Sequence, residues 1–271
     1  GSNSGVYTTG TIAISTLTGD LSVSQNINTQ NTSTAALILN ASQSTAAGVS
    51  SGGDLKFSGG ASITIGANAI AKLHSGSISG STGLTAITGS GSNRFRYNSD
   101  ESNSNYSLSL GTGIHAIYRE RPSLTIVADN KTVTYGTAPT LTTTVNGLQN
   151  GDSAAQTLST VASVAVGGSK SSSNNYIAGT HTLTASSAVE QLGYLISSYT
   201  EGTLTVNRKN VTASYTASNK TYDSTDFAIE AQSDNGNSLF SLDGAGEVRL
   251  AGNVKMSGTT IITSGRGLTN L

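Results

Sequence analysis

The chain has no cysteine, no tryptophan and only two prolines in 271 residues. Without cysteine it can form neither disulfide bonds nor cysteine-ligated metal sites. Charged residues make up only 11% of the chain, and the net charge of −1 gives no attraction toward nucleic acid or acidic membranes. No apolar run reaches the roughly 18 residues of a membrane span, and no basic and apolar leader is present, so any signal peptide is expected upstream.

What remains is rich in serine, threonine and β-branched residues, together with 32 glycines. Such residues do not sustain helices, and the recurring short apolar clusters distinguish the chain from a disordered one. We therefore predict an all-β protein. It begins with the end of a right-handed parallel β-helix, continues with small β-rich modules of β-sandwich or β-grasp form, and ends with a short β segment.

Residues 1–96 are predicted to form the coils of the β-helix. Apolar residues come there in pairs, mostly two positions apart, which is typical of strands with one buried face. The leading leucines of these pairs recur every 16 to 18 residues, the size expected for one coil. An antiparallel sandwich of short strands is the alternative. The pairs are Ile12/Ile14, Leu21/Val23, Leu37/Leu39, Leu55/Phe57, Ile63/Ile65 and Ile70/Leu73.

Residues 97–122 are predicted to cap these coils and to join them to the next part. Tyr97, Tyr106 and Tyr118 can cover an exposed apolar end, and Pro122 disfavours a helix across the boundary.

Residues 123–207 are predicted to be a compact β module with one short helix. Asp152 or Ser153 can cap that helix, which is expected over 154–158, and strands are expected around it. A second copy of the module is predicted to start within 208–225, because Asn-Lys-Thr occurs in both copies. The expected strands are 124–127, 161–166, 181–185, 195–199 and 204–206.

Residues 226–271 carry more charge and a cleaner alternation of apolar residues. They are too short to bury much surface alone, so oligomerisation or docking is expected. The segment loosely resembles the short β-prisms that trimerise bacteriophage tail proteins. It is interpreted either as a native homotrimerising segment or as a fused one.

A basic and aromatic cluster around the cap is the candidate ligand site. It could hold an anionic glycan; the alternative is arginine stacking on tyrosine inside the cap. The members are Arg94, Arg96, Tyr97, Tyr118 and Arg119, with Arg121 nearby.

Catalytic and metal sites are not predicted, and no cofactor is expected. Asp20 and Asp54 occupy equivalent Gly-Asp turns that could share a face, as a glycoside hydrolase requires, but turn residues that accept backbone N–H groups are the favoured interpretation. His74, His115 and His181 are scattered and are expected to be surface or packing residues. The acidic loops 234–237 and 243–247 lack the spacing of a helix–loop–helix calcium site and are interpreted as turns.

Two resemblances add to this interpretation. Residues 10–122, above all YNSDE at 97–101 and AIYRERP at 116–122, resemble the distal end of filamentous-haemagglutinin-type adhesins exported by two-partner secretion. Tyr135-Gly136 and the string NGLQNGDSA resemble the MBG repeat of bacterial surface proteins, and 208–225 is more similar to the related YDG repeat, although Tyr222-Asp223-Ser224 departs from its motif.

These resemblances imply a non-enzymatic bacterial surface adhesin or stalk, secreted to the exterior of the outer membrane. Its partners are expected to be cell-surface glycans or proteins, without nucleic-acid binding or membrane insertion. A phage tail-fibre or receptor-binding protein is the first alternative, and a polysaccharide-cleaving β-helix enzyme is the second.

Overall fold

The structure is a computed structural model in which contacts divide the chain into two compact units, Gly1–Asn210 and Val211–Leu271. Regular structure in the described residues is almost entirely β-strand, as the composition predicts, with two short helices besides. No helix of the described residues has the length and apolar character needed to cross a bilayer. The described residues are 5–213, 231–232, 238–242, 248–250, 254–256 and 259–262.

Ten short strands and one helix precede residue 119. All described pairings among these strands are parallel, and they form three sheets, ordered β1-β4-β7, β2-β5-β8-β10-β9 and β3-β6. From β1 to β8 the chain visits the three sheets in turn, so it winds in stacked coils, and the antiparallel sandwich is excluded for this part. The elements are β1 (Val6–Thr8), β2 (Ile12–Ser15), β3 (Leu21–Val23), β4 (Ile27–Thr29), β5 (Leu37–Asn40), β6 (Leu55–Phe57), β7 (Ile63–Thr64), β8 (Ile70–Ser75), α1 (Leu84–Thr88), β9 (Phe95–Arg96) and β10 (Gly113–Tyr118).

The predicted coil length of 16 to 18 residues is too short. Val6 pairs with Ile27 and Ile12 pairs with Leu37, 21 and 25 positions apart, whereas Leu21 pairs with Leu55 and Leu39 pairs with Leu73, each 34 positions apart. The leucines spaced by 16 to 18 belong alternately to different sheets. The strands β5, β6 and β8 each carry a pair of inward apolar side chains, and the sequence alone does not tell on which of the three sheets each pair lies.

The interior of the stack is built from inward apolar side chains. Leu37, Leu39, Leu55 and Leu73 are fully buried. Neighbouring coils place Leu39 on Leu73, Leu37 on Ala71 and Leu55 on Leu21. Burial of one such side chain stabilises the fold by about 1.5–3 kcal/mol.

The following module contains nine strands and one helix. They form the sheets β13-β11-β18, β12-β19-β16-β15 and β14-β17, and the strand positions predicted for this part are confirmed. The predicted helix is also confirmed: Ser153 is its N-cap, and Ser153 and Gln156 form a reciprocal capping box. The elements are β11 (Ser123–Ala128), β12 (Lys131–Thr134), β13 (Thr143–Asn146), α2 (Ala154–Thr157), β14 (Leu158–Thr160), β15 (Ser163–Val166), β16 (Gly179–Ser186), β17 (Val189–Glu190), β18 (Leu195–Thr200) and β19 (Gly202–Asn207).

Two hydrophobic cores run through the first unit. The smaller one lies between the two larger sheets of the module, and the larger one extends from the coils into the module through Leu124, Leu192 and Tyr194. Val145 and Ile196 pack against both cores. Coils and module therefore share part of their interior, in addition to the smaller core inside the module. The smaller core consists of Ile126, Ala128, Leu183, Ala185, Leu204 and Val206.

The second unit is described only through five short strands in antiparallel pairings. The predicted start of a second module at 208–225 is described as far as residue 213. The acidic loops at 234–237 and 243–247 and the predicted trimerisation through 226–271 lie outside the described residues. The strands are β20 (Ala231–Gln232), β21 (Ser238–Leu242), β22 (Val248–Leu250), β23 (Val254–Met256) and β24 (Thr259–Ile262).

Candidate functional site at the junction

Four of the five predicted ligand-binding residues lie inside the protein. Arg96, Tyr97, Tyr118 and Arg119 are each at most 1% exposed, and only Arg94 is half-buried. A glycan cannot reach side chains that are buried to this extent, so these four are corrected from surface contacts to interior residues. Their burial agrees with the alternative interpretation, in which the arginines and tyrosines pack inside the cap.

Arg96 fastens the loop that connects β9 to β10. Its guanidinium donates to the carbonyl oxygens of Leu108 and Ser109, at 3.1 and 3.2 Å, and to those of Asn93 and Phe95. The guanidinium carbon also lies 5.4 Å from the centre of the Tyr106 ring. A buried cation is thus satisfied by backbone oxygens and an aromatic face, which keeps a long loop against the coils.

Arg119 joins neighbouring coils in a similar way. Its Nη2 donates to the carbonyl oxygens of Ala41 and Gly53 at 2.6 and 2.9 Å. Burial lowers the pKa of both Arg119 and Arg96 from the ordinary arginine value. Arginine nevertheless keeps its charge at neutral pH, so each site needs the carbonyl oxygens that the coils provide.

A buried polar network joins the coils to the module. The hydroxyls of Tyr97 and Tyr194 both donate to Oδ2 of Asp152, at 2.8 and 2.9 Å. Asn150 donates from Nδ2 to the Tyr97 oxygen at 3.1 Å, and its Oδ1 accepts from the Thr85 hydroxyl at 2.9 Å. Residues from the coils and from the module loop 149–152 therefore satisfy one another's buried polar groups.

Aromatic packing surrounds this network. Tyr97 stacks on Tyr118 with ring centres 5.8 Å apart and meets the Tyr194 ring at 4.4 Å. Burial raises the pKa of all three phenols, so they stay protonated, and Tyr97 and Tyr194 act as donors. Arrangements of this kind contribute about 0.5–1.5 kcal/mol per pair beyond the area that they bury.

Asp152 is the acceptor at the centre of the junction. Burial raises the pKa of its carboxyl, and the hydrogen bonds from the two tyrosine hydroxyls oppose that shift. Its Oδ1 is buried and has no hydrogen-bond partner among the residues that the structure describes. Loss of either tyrosine hydroxyl would leave a desolvated carboxyl less well satisfied, at a cost of about 1–3 kcal/mol.

The backbones also meet directly at this junction. The N–H of Tyr97 donates to the Leu192 carbonyl at 2.9 Å, and the N–H of Gly91 donates to the Asn150 carbonyl at 3.0 Å. Gly193 adopts a φ of +100°, and a Cβ added there would lie 2.1 Å from the Tyr97 carbonyl oxygen. Only glycine fits this close approach of two backbones.

Glu190 stabilises the turn through which the module contacts the coils. Its Oε2 accepts from the N–H groups of Leu192, Gly193 and Tyr194, at 3.0, 2.7 and 3.0 Å. The turn that presents Tyr194 to the coils is therefore built around one carboxylate oxygen.

Sequence reasoning identifies Tyr97 and Tyr118 but misses their partners Tyr194, Asn150 and Glu190. It assigns Asp152 only as a candidate helix cap. One signal points to the right place: the string NGLQNGDSA, which carries the module's resemblance, contains the loop that touches the coils.

Asp20 and Asp54 occupy adjacent coils and act as turn residues, in agreement with the favoured interpretation. Asp20 accepts the Asp54 N–H at 2.9 Å and pairs with Lys56 at 2.9 Å. Asp54 in turn accepts the N–H of Ser77.

His74, His115 and His181 are all buried, as packing residues are expected to be. No group of three or more potential metal-ligating side chains occurs among the residues that the structure describes.

Residues 124–205 match the family model of the MBG domain (YGX type). This range lies within the predicted module at 123–207, and Tyr135-Gly136-Thr137 supplies the Tyr-Gly-X sequence. The match supports an MBG-containing, adhesin-like protein. No curated protein and no solved structure matches the chain.

Proposed function

We propose that this chain is a non-enzymatic segment of an exported bacterial surface adhesin, in which a coil stack holds an MBG domain at its end. The observation that carries this proposal is the buried junction. Tyr97 of the coils and Asp152 and Tyr194 of the domain share hydrogen bonds and one core. A joint of this kind fixes the domain's orientation, which a structural support requires and a flexible tether does not provide.

The finer parts of the proposal rest on resemblance. The coils belong to a right-handed parallel β-helix of the filamentous-haemagglutinin type, the protein leaves the cell by two-partner secretion, and a second repeat begins within 208–225. The parallel pairing of the ten strands of the coils supports the first of these statements. The chain stands at the exterior of the outer membrane, where its partners are cell-surface glycans or proteins.

Adhesion is proposed to come from exposed polar surface rather than from a deep pocket. The outward positions of β16 and β18 carry threonine, serine and tyrosine, which bind glycans weakly and in many copies.

A non-enzymatic role is supported by the state of the two turn aspartates. Hydrolysis of a glycosidic bond needs one carboxyl group that donates a proton and a second that serves as base or nucleophile. Asp20 is engaged by Lys56 and by the Asp54 N–H, and Asp54 is engaged by Ser77. Both carboxylates are thereby committed to turns of the stack.

The proposal is tested by coating beads with the full chain and measuring their retention on a glycan panel and on epithelial and bacterial cells. Beads coated with the heat-unfolded chain are the control. We expect retention of the folded chain and no release of reducing sugars from any glycan. The proposal fails if nothing retains the beads, or if sugars are released and Asp20→Asn or Asp54→Asn abolishes the release.

Surface location is tested separately. Antibodies raised against the chain are expected to label intact producing cells, and brief protease treatment of those cells is expected to remove the signal. Labelling that appears only after lysis contradicts export.

A further inference from the structure

The four-stranded sheet β12-β19-β16-β15 of the MBG domain has one covered face and one exposed face. Along β16 the buried side chains of His181, Leu183 and Ala185 alternate with exposed ones. The ring of His181 lies on the covered side, where its Nδ1 is 3.0 Å from the Gly167 carbonyl oxygen and its Nε2 is 2.8 Å from that of Ile177. The strands β12 and β19 alternate in the same way, so their remaining positions belong to one outer face.

Threonine occupies most positions of this outer face. The pairing register sets the threonines in rows across the strands: Thr132 lies opposite Thr205, Thr205 lies opposite Thr180, and Thr182 lies opposite Thr203. Neighbouring strands are about 4.8 Å apart, and alternate residues along one strand are about 6.8 Å apart. The hydroxyls therefore recur at regular intervals in two directions. The threonine face consists of Thr132 and Thr134 of β12, Thr203 and Thr205 of β19, and Thr180, Thr182 and Thr184 of β16.

The hydroxyls of the threonine face are not engaged by the fold. All of these residues are exposed except Thr205, which is half-buried. Their side chains have no hydrogen-bond partner among the described residues, whereas on the other large sheet the hydroxyls of Thr125 and Ser198 lie 3.1 Å apart and satisfy each other. Each hydroxyl of the threonine face thus keeps a donor and its acceptor lone pairs for a ligand.

A cleft brings some of these hydroxyls together. It has a volume of about 290 Å³ and is lined by Thr180 and Thr182 of β16 and by Thr203 of β19. A ligand group in the cleft can contact threonines of two strands at once. The cleft is therefore the place where we expect the strongest contacts of the threonine face.

The threonine face carries no charged side chain. Among the strands β12, β16 and β19, the lysine at 131 is the only residue with a permanent charge, and Lys131 shares the inward row of β12 with Val133, which packs against the smaller core. Asp129 and Glu201 lie just before β12 and β19, and Lys170 lies in the loop between β15 and β16. Anionic glycans are recognised by arginine and lysine, so an uncharged face of hydroxyls suits an uncharged ligand.

The threonine face also has no aromatic ring on which a sugar could stack, because β12, β16 and β19 contain neither tyrosine nor phenylalanine. A threonine offers a hydroxyl to a sugar hydroxyl and a methyl group to the C–H groups of a sugar ring, but one such contact is weak. Binding therefore requires a repeating ligand that covers several rows at once, so that the weak contacts act together.

We propose that the threonine face binds a neutral polysaccharide, whose repeated hydroxyl groups form hydrogen bonds with successive rows of threonines. The inference rests on the proposed adhesive function and specifies it in two ways. The ligand is an uncharged glycan polymer, and it is held by the four-stranded sheet rather than by β18.

The first test compares the retention of beads coated with the full chain on neutral and on anionic polysaccharides. Dextran, mannan and a β-glucan are the neutral probes, and alginate and heparin are the anionic ones. We expect retention on at least one neutral polysaccharide, with a strength that stays the same from low salt to about 1 M salt, because charges do not contribute.

The outcomes of this test separate the inference from the proposed function. Retention on the anionic surfaces alone, or retention on a neutral one that salt abolishes, overturns the inference and leaves adhesion intact. Retention on cells but on no polysaccharide does the same. If neither polysaccharides nor cells retain the beads, the inference and the proposed function both fail.

The second test removes the hydroxyls around the cleft in the combined variant Thr180→Val, Thr182→Val and Thr203→Val. Valine keeps the β-branched shape that suits a strand, so the fold should persist, and thermal unfolding checks this. Loss of several hydrogen bonds is expected to weaken binding of the soluble neutral polysaccharide about tenfold or more. Unchanged binding by a folded variant overturns the inference.

The matched control removes as many hydroxyls from the outer face of the other large sheet, through Thr125→Val, Ser198→Ala and Thr200→Val. We expect this variant to bind the neutral polysaccharide like the unchanged chain. If it loses binding while the variant at the cleft does not, glycans are held by β18, which contradicts the inference but not the proposed function.

A third measurement needs no variant. Threonine methyl signals of the full chain are followed by NMR as mannan oligosaccharides are added, and we expect the signals of the threonine face to shift while those of Thr125 and Thr200 stay in place. If the signals of the threonine face respond instead to the concentration of the chain, and sedimentation shows a dimer, the face is a contact between two copies and the inference is wrong.

Discussion

The two cores of the first unit differ in size and in chemistry. The core inside the MBG domain has six buried aliphatic residues, whereas the core at the junction brings together three tyrosines, two phenylalanines and the leucines of the coils. The domain's own interior is therefore small, and its large side chains, such as Tyr194, are buried where it meets the coils. This difference indicates that packing against the coil stack adds to the stability that the small core of the MBG domain provides.

The largest expected effect comes from Tyr97→Ala. This change removes contacts with Tyr118 and Tyr194 and one partner of Asp152, and we expect a loss of about 3–5 kcal/mol in unfolding free energy, measured by urea denaturation. Tyr7→Ala, at a side chain that is 69% exposed, is the control and should cost little. A loss below about 1 kcal/mol for Tyr97→Ala would mean that the junction is not the dominant core.

Gly193→Ala tests the close contact between the backbones of the coils and the module. Gly193 and Gly136 both have positive φ, at +100° and +90°, but a Cβ at Gly136 would meet no described atom within 4 Å. We expect Gly136→Ala to lower the unfolding free energy by about 1–2 kcal/mol through backbone strain alone. Gly193→Ala should lower it by about 3 kcal/mol or more, since the Tyr97 carbonyl must also move. Equal losses in thermal or urea unfolding would show that the close contact can relax without cost.

We expect low pH to destabilise the coil stack more than the MBG domain. Burial lowers the pKa of His74 and of His115 to about 4, and both residues belong to the coil stack. The unfolded chain then takes up protons first, so stability is constant above about pH 6.5 and falls as the pH drops toward about 4. Burial raises the pKa of Asp152, which opposes this trend.

At pH 5 we expect each of these two histidines to lower the unfolding free energy by about 2 kcal/mol relative to pH 8. Urea unfolding at the two pH values measures it, and His74→Gln should flatten the dependence by about one histidine's share. A wild-type stability that is unchanged between these pH values contradicts the assignment.

The smallest effect is expected for the exposed ion pair of the coils. Asp20→Asn and Lys56→Gln should each leave the unfolding curve unchanged within error, because both groups are exposed and screened by solvent. A clear loss of unfolding free energy in either variant would show that the turns of the coils contribute more to stability than we expect of exposed groups.

The sequence by itself determined the class of structure and most of its local elements. Spacings of two between apolar residues indicated the strands, and the cap candidates Asp152 and Ser153 indicated the short helix, because strand faces and helix caps depend on neighbours along the chain. Tyr135-Gly136 and the string NGLQNGDSA were enough to recognise the MBG domain.

Only the tertiary structure decided which of these elements meet. The stacking distances of 21 to 36 residues between coils and the contact of Tyr97 with Asp152 and Tyr194 join residues from different elements. So do the two carbonyl partners of His181. The arginines and tyrosines of the cap illustrate the reason. The same side chains could bind a glycan at a surface or satisfy backbone oxygens in an interior, and burial, which is a property of the assembled fold, selects between the two.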